Sequence, residues 1–436
     1  MKKQRKTLQQ EVESRQAKIP VPLFHWFYHF VFKYFFKKQK YNAHITVKDD
    51  INKCKGPCFL IFNHLSRFDH IWVNLATYPR RFNMLAGYNE FFRFHLYWAF
   101  KKQRIIPKKI YANDFISIRM MSKIIKQGGC VAFSPEGTSS IFGNNQPILP
   151  TTGHFLKHFG IPVYFLKTEG AYLTQHKINN DTRKGRVEAT LSLLFSKEDL
   201  ANLTKEEIND RINDEFKHDD YEWNKIHHIK YNTKGNAGDH YHDILYKCPK
   251  CGTEFEMIGK NDYIKCNHCG NGCNINDYYE MIPFDENSKI FDTPTKWSDR
   301  ERIEVIKEIR KDPNYKFSFK VKLGYLPTDH LVKDHKTGEI CGEGEFTIDH
   351  EGVHYRGTRH GEAFNIDLDY NYAYTPAIPT TVEYFTFYLP DGNYYEFYPE
   401  IPVTGKVIML VQEMHRLHVN TFKNFKWNDY MYENLD

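Results

Sequence analysis

The stretch Phe59-Leu60-Ile61-Phe62-Asn63-His64-Leu65-Ser66-Arg67-Phe68-Asp69 decides the reading of this chain. Its first four residues form an unbroken apolar run that predicts a short strand, and the segment from Phe68 onward suits a helix. A histidine and a carboxylate five apart therefore stand at the mouth of a strand, where α/β folds gather reactive side chains on loops. Working outward, Val131-Ala132-Phe133 is a second such run, followed by Ser134-Pro135-Glu136-Gly137-Thr138-Ser139-Ser140. Residues 163–166 supply a third. Between about residues 56 and 170, short apolar runs alternate with helical patterns, as in a central sheet flanked by helices. Within that span Asn113 is the expected cap of a helix carrying Phe115, Ile118, Met121 and Ile125, stopped by Gly128-Gly129.

Asn63-His64-x-Ser66-x-x-Asp69 after one strand, with Pro135-Glu136-Gly137-Thr138 after another, resembles two signature blocks of the PlsC-like glycerolipid acyltransferases. The resemblance spans roughly residues 55–170. It implies transfer of a fatty acyl group from a thioester, acyl-CoA or acyl carrier protein, to a hydroxyl of a lysophospholipid or glycerol-phosphate-type acceptor. That chemistry needs a base, because a hydroxyl is protonated at neutral pH, and a neutral imidazole has a suitable pKa. A carboxylate on the other ring nitrogen fixes the tautomer and stabilises the imidazolium. His64 and Asp69 fill those two roles. The acceptor is itself the nucleophile, which leaves Ser66 as a local hydrogen-bonding residue.

Two further blocks match less closely. Gln103-Arg104-Ile105-Ile106-Pro107-Lys108 stands where the family's second block ends in arginine; Lys108 is the best counterpart, with Arg104 a rival. Gly160-Ile161-Pro162-Val163-Tyr164 resembles the fourth block. By resemblance the acceptor site comprises Lys108, Glu136, Gly137, Thr138 and Ser139, with Glu136 accepting hydrogen bonds from acceptor hydroxyls and Gly137 letting the backbone approach closely. The family usually has arginine after Gly-Thr. Ser139 removes that planar, bidentate phosphate ligand. An acceptor with a larger headgroup, or a glycolipid, gains weight, unless Lys108, Lys109 or Arg104 compensates.

The chain of 436 residues is long enough for two or three domains. Its net charge of +6 is uneven: residues 1–110 hold 22 Lys+Arg against 6 Asp+Glu. Such an excess implies an anionic partner: lipid surface, phosphate or nucleic acid. Residues 22–40 read PLFHWFYHFVFKYFFKKQK. His25, His29, Lys33 and Lys37 recur every four residues on one helix face, and Leu23, Phe24, Phe27, Phe30, Val31, Tyr34 and Phe35 crowd the rest. This is the composition of a helix lying in a membrane interface, with Lys33, Lys37, Lys38 and Lys40 at anionic headgroups; the alternative is docking on the protein's own core. No stretch reaches the ~18 apolar residues of a spanning helix, and no secretory signal is evident. The expected location is the cytoplasmic face of a membrane, peripheral or monotopic.

Cys248-x-x-Cys251 and Cys266-x-x-Cys269, each followed by glycine, have the spacing of a structural zinc ribbon. Cys273 is close enough to replace Cys269, and His268 is a weaker ligand candidate. A four-cysteine site has no open position and so no catalytic role. His227, His228, His240 and His242 read as a polar linker, and Cys54, Cys58, Cys130 and Cys341 as packing thiols. Ser196 is a candidate helix cap, a polar helix follows over Lys205–Phe216, and Ser298 with Glu301 predicts a capping box for a helix through Ile303, Ile306 and Ile309 that ends at Asp312-Pro313. From Tyr315 the pattern turns to strands, with turns at Glu351-Gly352, His360-Gly361 and Asp391-Gly392, closed by a helix through Val407, Leu410, Val411, Met414 and Leu417. That arrangement looks similar to a pleckstrin-homology or GRAM-type module.

The expected organisation is an amphipathic membrane-binding segment (1–41), an α/β acyltransferase domain (42–235), a zinc ribbon (246–282) and a β-rich domain capped by a helix (283–436). Two other classes compete. Ser139 suggests a catalytically inactive lipid-binding scaffold. The ribbon and basic N-terminal quarter suggest a nucleic-acid-binding protein, but the basic excess is interleaved with Phe and Trp, and no nucleic acid is expected.

Overall fold

The computed structural model describes residues 6–37, 42–112, 114–333, 338–423, 425–426 and 429–433. Its first sheet has seven strands: β1 (Asn42–Val47), β2 (Phe59–Phe62), β3 (Phe82–Gly87), β4 (Ile106–Lys108), β5 (Cys130–Phe133), β6 (Val163–Glu169) and β7 (Arg186–Phe195), in the order β1-β7-β6-β2-β5-β3-β4. Strands β6, β2, β5, β3 and β4 run parallel; β7 is antiparallel to β6 and β1 parallel to β7. All four residues of β2 are buried, as the centre of a parallel sheet covered on both faces requires.

Helices α1 (Leu8–Glu13) and α2 (Pro22–Val31) precede the sheet. It is flanked by α3 (Asp69–Thr77), α4 (Phe94–Gln103), α5 (Phe115–Lys126), α6 (Thr151–Phe159), α7 (Ala171–Thr174), α8 (Lys197–Asn202), α9 (Lys205–Phe216) and α10 (Asp220–His227). Asp114 caps α5, accepting from the N–H groups of Ile116 and Ser117; the expected cap, Asn113, lies outside the described residues. Ser196 caps α8 as expected, in a capping box with Asp199.

A four-stranded sheet follows, β8 (Met257–Lys260), β9 (Tyr263–Cys266), β10 (Gly272–Ile275) and β11 (Met281–Pro283), then α11 (Pro294–Lys311). The predicted start of α11 is corrected. Thr293 is the cap, with Pro294 in the first turn, a placement that suits proline's fixed φ and missing N–H. Ser298 lies inside the helix, donating to the Thr295 carbonyl, while Glu301 accepts from the Lys247 N–H. The last sheet comprises β12 (Lys316–Tyr325), β13 (Glu339–Asp349), β14 (Val353–Arg359), β15 (Glu362–Leu368), β16 (Phe385–Tyr388) and β17 (Tyr394–Pro399), all antiparallel, ordered β15-β14-β13-β12-β17-β16. Helix α12 (Thr404–His418) packs on this sheet and on α11, and α13 (Tyr430–Glu433) follows. One continuous apolar core links the three sheets, running from Leu60 and Tyr172 through Tyr241 and Met257 to Leu323 and Val407.

The N-terminal segment is woven into this body. The Gln9 N–H donates to the Thr328 carbonyl, and Val12 is fully buried. In α2 the histidines face the protein: His25 and His29 stack on Tyr78, and His29 Nδ1 lies 3.0 Å from Asn74 Oδ1. Burial lowers the pKa of both, that of His25 to about 4, so these two rings are neutral at pH 7. The opposite face exposes Leu23 (70%), Trp26, Phe27, Phe30 (43%) and, in the π-helical continuation Phe32–Lys37, Tyr34. The side chain of Lys37, and Lys38 and Lys40 altogether, lie outside the described residues. Among the described residues no helix is long and apolar enough to cross a membrane.

Candidate functional site

Strand β2 lies between β5 and β6, with Phe59 in register with both Val131 and Val163. The chain first winds from β2 toward β4, then returns to β5 and crosses to β6. The carboxyl ends at such a reversal form the crevice where open α/β sheets bind ligands. His64 and Glu136 both lie there, just beyond β2 and β5. Asn63, fully buried, fastens the end of β2 to β6: its Nδ2 donates to the Thr168 carbonyl, and its Oδ1 accepts from the Thr168 N–H and hydroxyl.

The His64 side chain is 29% exposed, and its Nδ1 lies 2.7 Å from Asp69 Oδ2. That same oxygen accepts the Ser66 N–H at 3.2 Å. Asp69 opens α3, where the helix dipole favours negative charge. Burial raises its pKa; the bonds from His64 and Ser66 act in the opposite sense. With Nδ1 committed to Asp69, Nε2 is the ring nitrogen left for a substrate. Ser66 serves locally, as expected: its hydroxyl accepts the Phe68 N–H and donates to Gln175 Oε1.

Glu136 is 1% exposed and both of its oxygens are engaged. Oε2 accepts the His64 N–H and Oε1 the Gln146 N–H, each at 2.6 Å. Burial pushes its pKa up to about 7 against those two backbone donors. The Ser140 N–H in turn donates to the His64 carbonyl at 2.7 Å. The peptide groups of His64 are thus held on both sides by the block after β5. The Glu136 carboxylate thus meets backbone on both oxygens, with the Ser134 hydroxyl also 3.4 Å from Oε2. Gly137 has φ +79°, and a Cβ there would lie 3.0 Å from the Tyr111 ring, so the close approach is to Tyr111, whose hydroxyl donates to the Glu136 carbonyl.

The two expected lysines are already occupied. Lys108 Nζ is 3.6 Å from Asp114, and Lys109 Nζ bonds the Gly392 carbonyl at 3.4 Å while lying over the Tyr88 ring. Arg104 ends α4 in a left-handed conformation, its carbonyl accepting from Asn83. Thr138 and Ser139 instead meet Lys177, which no motif had singled out. Its Nζ donates to Thr138 Oγ1 at 2.6 Å and to the Ser139 carbonyl at 3.0 Å.

The four cysteines converge. Cys248 and Cys269 sulfurs are 3.6 Å apart, those of Cys251 and Cys266 3.8 Å, and all four lie within 4.8 Å of one another. Zn–S bonds of ~2.3 Å in a tetrahedron place sulfurs about 3.8 Å apart, so the set fits a metal ion such as Zn2+. Backbone N–H groups of Lys250 and Cys251 reach the Cys248 sulfur, and those of His268 and Cys269 the Cys266 sulfur. Gly252 and Gly270, both at φ +75°, make the turns that aim them. Cys273 is paired within the sheet on β10 and, like His268, stands outside the group. Among the described residues His227, His228, His240 and His242 form no such group.

No family model matches the chain, and no curated protein matches it. Among solved structures the chain is similar to the 1-acyl-sn-glycerophosphate (LPA) acyltransferase PlsC from Thermotoga maritima. The two are 17% identical over 44% of this chain and 75% of that one, with a TM-score of 0.36. So loose a similarity leaves the chemistry to rest on the residues themselves.

Proposed function

We propose that this protein is an O-acyltransferase of the PlsC-like kind, working at a membrane surface. It would pass a fatty acyl group from acyl-CoA or acyl carrier protein to a hydroxyl of a lysophospholipid or glycerol-phosphate-type acceptor. The observation that carries this reading is the His64–Asp69 pair at the carboxyl end of β2, its backbone braced by Glu136 and Ser140. The acceptor hydroxyl gives its proton to Nε2 of His64 as its oxygen attacks the thioester carbonyl. Asp69 stabilises the imidazolium; collapse of the tetrahedral intermediate expels the thiolate, which takes up the proton. In this reading Glu136 is a positioning residue.

Four-thiolate Zn2+ would be structural, joining the ribbon's two turns. The aromatic face of α2 is suited to the headgroup boundary of an anionic membrane on its cytoplasmic side. The β-rich C-terminal region, similar in arrangement to a PH or GRAM module, would be an accessory unit. A second reading, a lipid-binding scaffold without chemistry, is favoured by Ser139 alone. His64→Ala separates the two. In purified, folded protein it should lower thioester consumption in the presence of acceptor by roughly 10²–10⁴-fold. Activity within a few-fold of the parent refutes the mechanism.

A further inference from the structure

We infer that Lys177 is the acceptor's phosphate ligand, entering from the β6–β7 connection to replace the guanidinium that the Pro-Glu-Gly-Thr block lacks at Ser139. The inference deepens the acyltransferase reading and rests on it for the identity of the ligand, a phosphate monoester.

Lys177 is 6% exposed, and both of its hydrogen-bond partners, the Thr138 hydroxyl and the Ser139 carbonyl, are neutral. Among the described residues no carboxylate lies within ion-pair distance of it. Buried ammonium groups are normally paired, because an uncompensated charge away from water is costly. Burial alone pushes its pKa down to about 7, with no opposing charge to restore it. An arriving phosphate would supply that missing charge and complete the ammonium's third hydrogen bond.

The location suits an acceptor phosphate. Lys177 grips Thr138 and Ser139, and the next residue, Ser140, donates to the His64 carbonyl. A phosphate on Lys177 is therefore tied through one short backbone segment to the base that must reach the acceptor hydroxyl. Two of the other candidate cations are spent: Lys108 on Asp114, Lys109 on Gly392 and Tyr88. The C-terminal region also touches this point, since the Thr381 N–H donates to the Lys177 carbonyl. Thr381 and Val382 have φ of +83° and +55°, unusual for β-branched residues, so the fold holds this contact at the cost of backbone strain.

The test uses the full-length, zinc-loaded protein and the variants Lys177→Met and Lys177→Arg. Glycerol 3-phosphate binding, read by calorimetry, needs no acyl transfer; it should weaken at least tenfold in Lys177→Met and recover in part in Lys177→Arg. In parallel, kcat/KM is compared for a lysophosphatidate and a phosphate-free monoacylglycerol. A short acyl thioester without phosphate serves as donor, so that no donor phosphate can occupy the site. The ratio should fall 10–100-fold in Lys177→Met, mainly through KM. An unchanged ratio, a loss shared equally by both acceptors, or a parent protein that does not bind glycerol 3-phosphate overturns the proposal. Lys177-dependent binding without any acyl transfer would keep the phosphate site and remove the acyltransferase reading.

Discussion

Replacing Asp69 with asparagine isolates the charge at the centre of the site. Asp69 Oδ2 accepts both the His64 Nδ1–H and the Ser66 N–H, whereas Oδ1 is buried without a hydrogen-bond partner. An asparagine oxygen in the place of Oδ2 keeps both bonds, and its NH2 falls where nothing was bonded. The imidazole therefore stays in the productive tautomer, and what disappears is the carboxylate's attraction for the imidazolium. Two unit charges about 4 Å apart at an effective dielectric of 20 attract by about 4 kcal/mol. At 1.36 kcal/mol per factor of ten this caps the loss near 10³-fold. Asp69→Asn should thus lower kcat by roughly 10²–10³-fold with little change in acceptor KM, and Asp69→Ala should lose more because the ring is also released. The assay is steady-state acyl transfer on protein matched for zinc content and melting temperature. A kcat within fivefold of the parent would refute the build-up of positive charge on His64. A loss confined to KM would make Asp69 architectural.

Cys266→Ser should abolish binding of one Zn2+ per chain and lower the melting temperature, because the ribbon shares the main core; metal analysis showing full zinc in that variant refutes the ligand set. Gly137→Ala adds a Cβ at φ +79°, 3.0 Å from the Tyr111 ring, and should cost about 1–3 kcal/mol in urea unfolding; an unchanged midpoint would show that the turn relaxes freely. Replacing Leu23, Trp26 and Phe27 together with serine should reduce sedimentation with anionic liposomes at least tenfold. If folded variant and parent sediment alike, the membrane contact lies elsewhere.

The hydrogen-bonded pair was legible because it is local: His64 and Asp69 stand five positions apart, and the turn between β2 and α3 brings their side chains together. The cysteine group was legible for the same reason. Glu136 was visible as a residue but not as a brace, since its partners, the His64 and Gln146 N–H groups, are backbone atoms that no pattern of side chains displays. Lys177 left no trace, being one lysine in a stretch without periodicity, brought to Thr138 only by the crossing from β6 to β7. The start of α11 was misplaced because Ser298 and Glu301 have capping-box spacing while Thr293-Pro294 offers a stronger beginning. In α2 the four-residue repeat correctly grouped His25 with His29; that those rings would seek Tyr78 and Asn74 depends on a helix some 45 residues on.

The bond from Gln9 to Thr328 bears on how the molecule is made. Ribosomes deliver a chain from its N-terminal side at about 5–20 residues per second. The seven-stranded sheet is complete once residue 195 has emerged, yet the apolar cluster around Val12 and Phe91 also requires Leu326, Tyr388 and Tyr394. At those speeds the early helices wait on the order of ten seconds or more for partners over 300 residues downstream. During that interval α1 packs only on the side of its cluster built from Tyr88, Phe91 and Tyr97, and the side that Leu326, Tyr388 and Tyr394 later cover stays open.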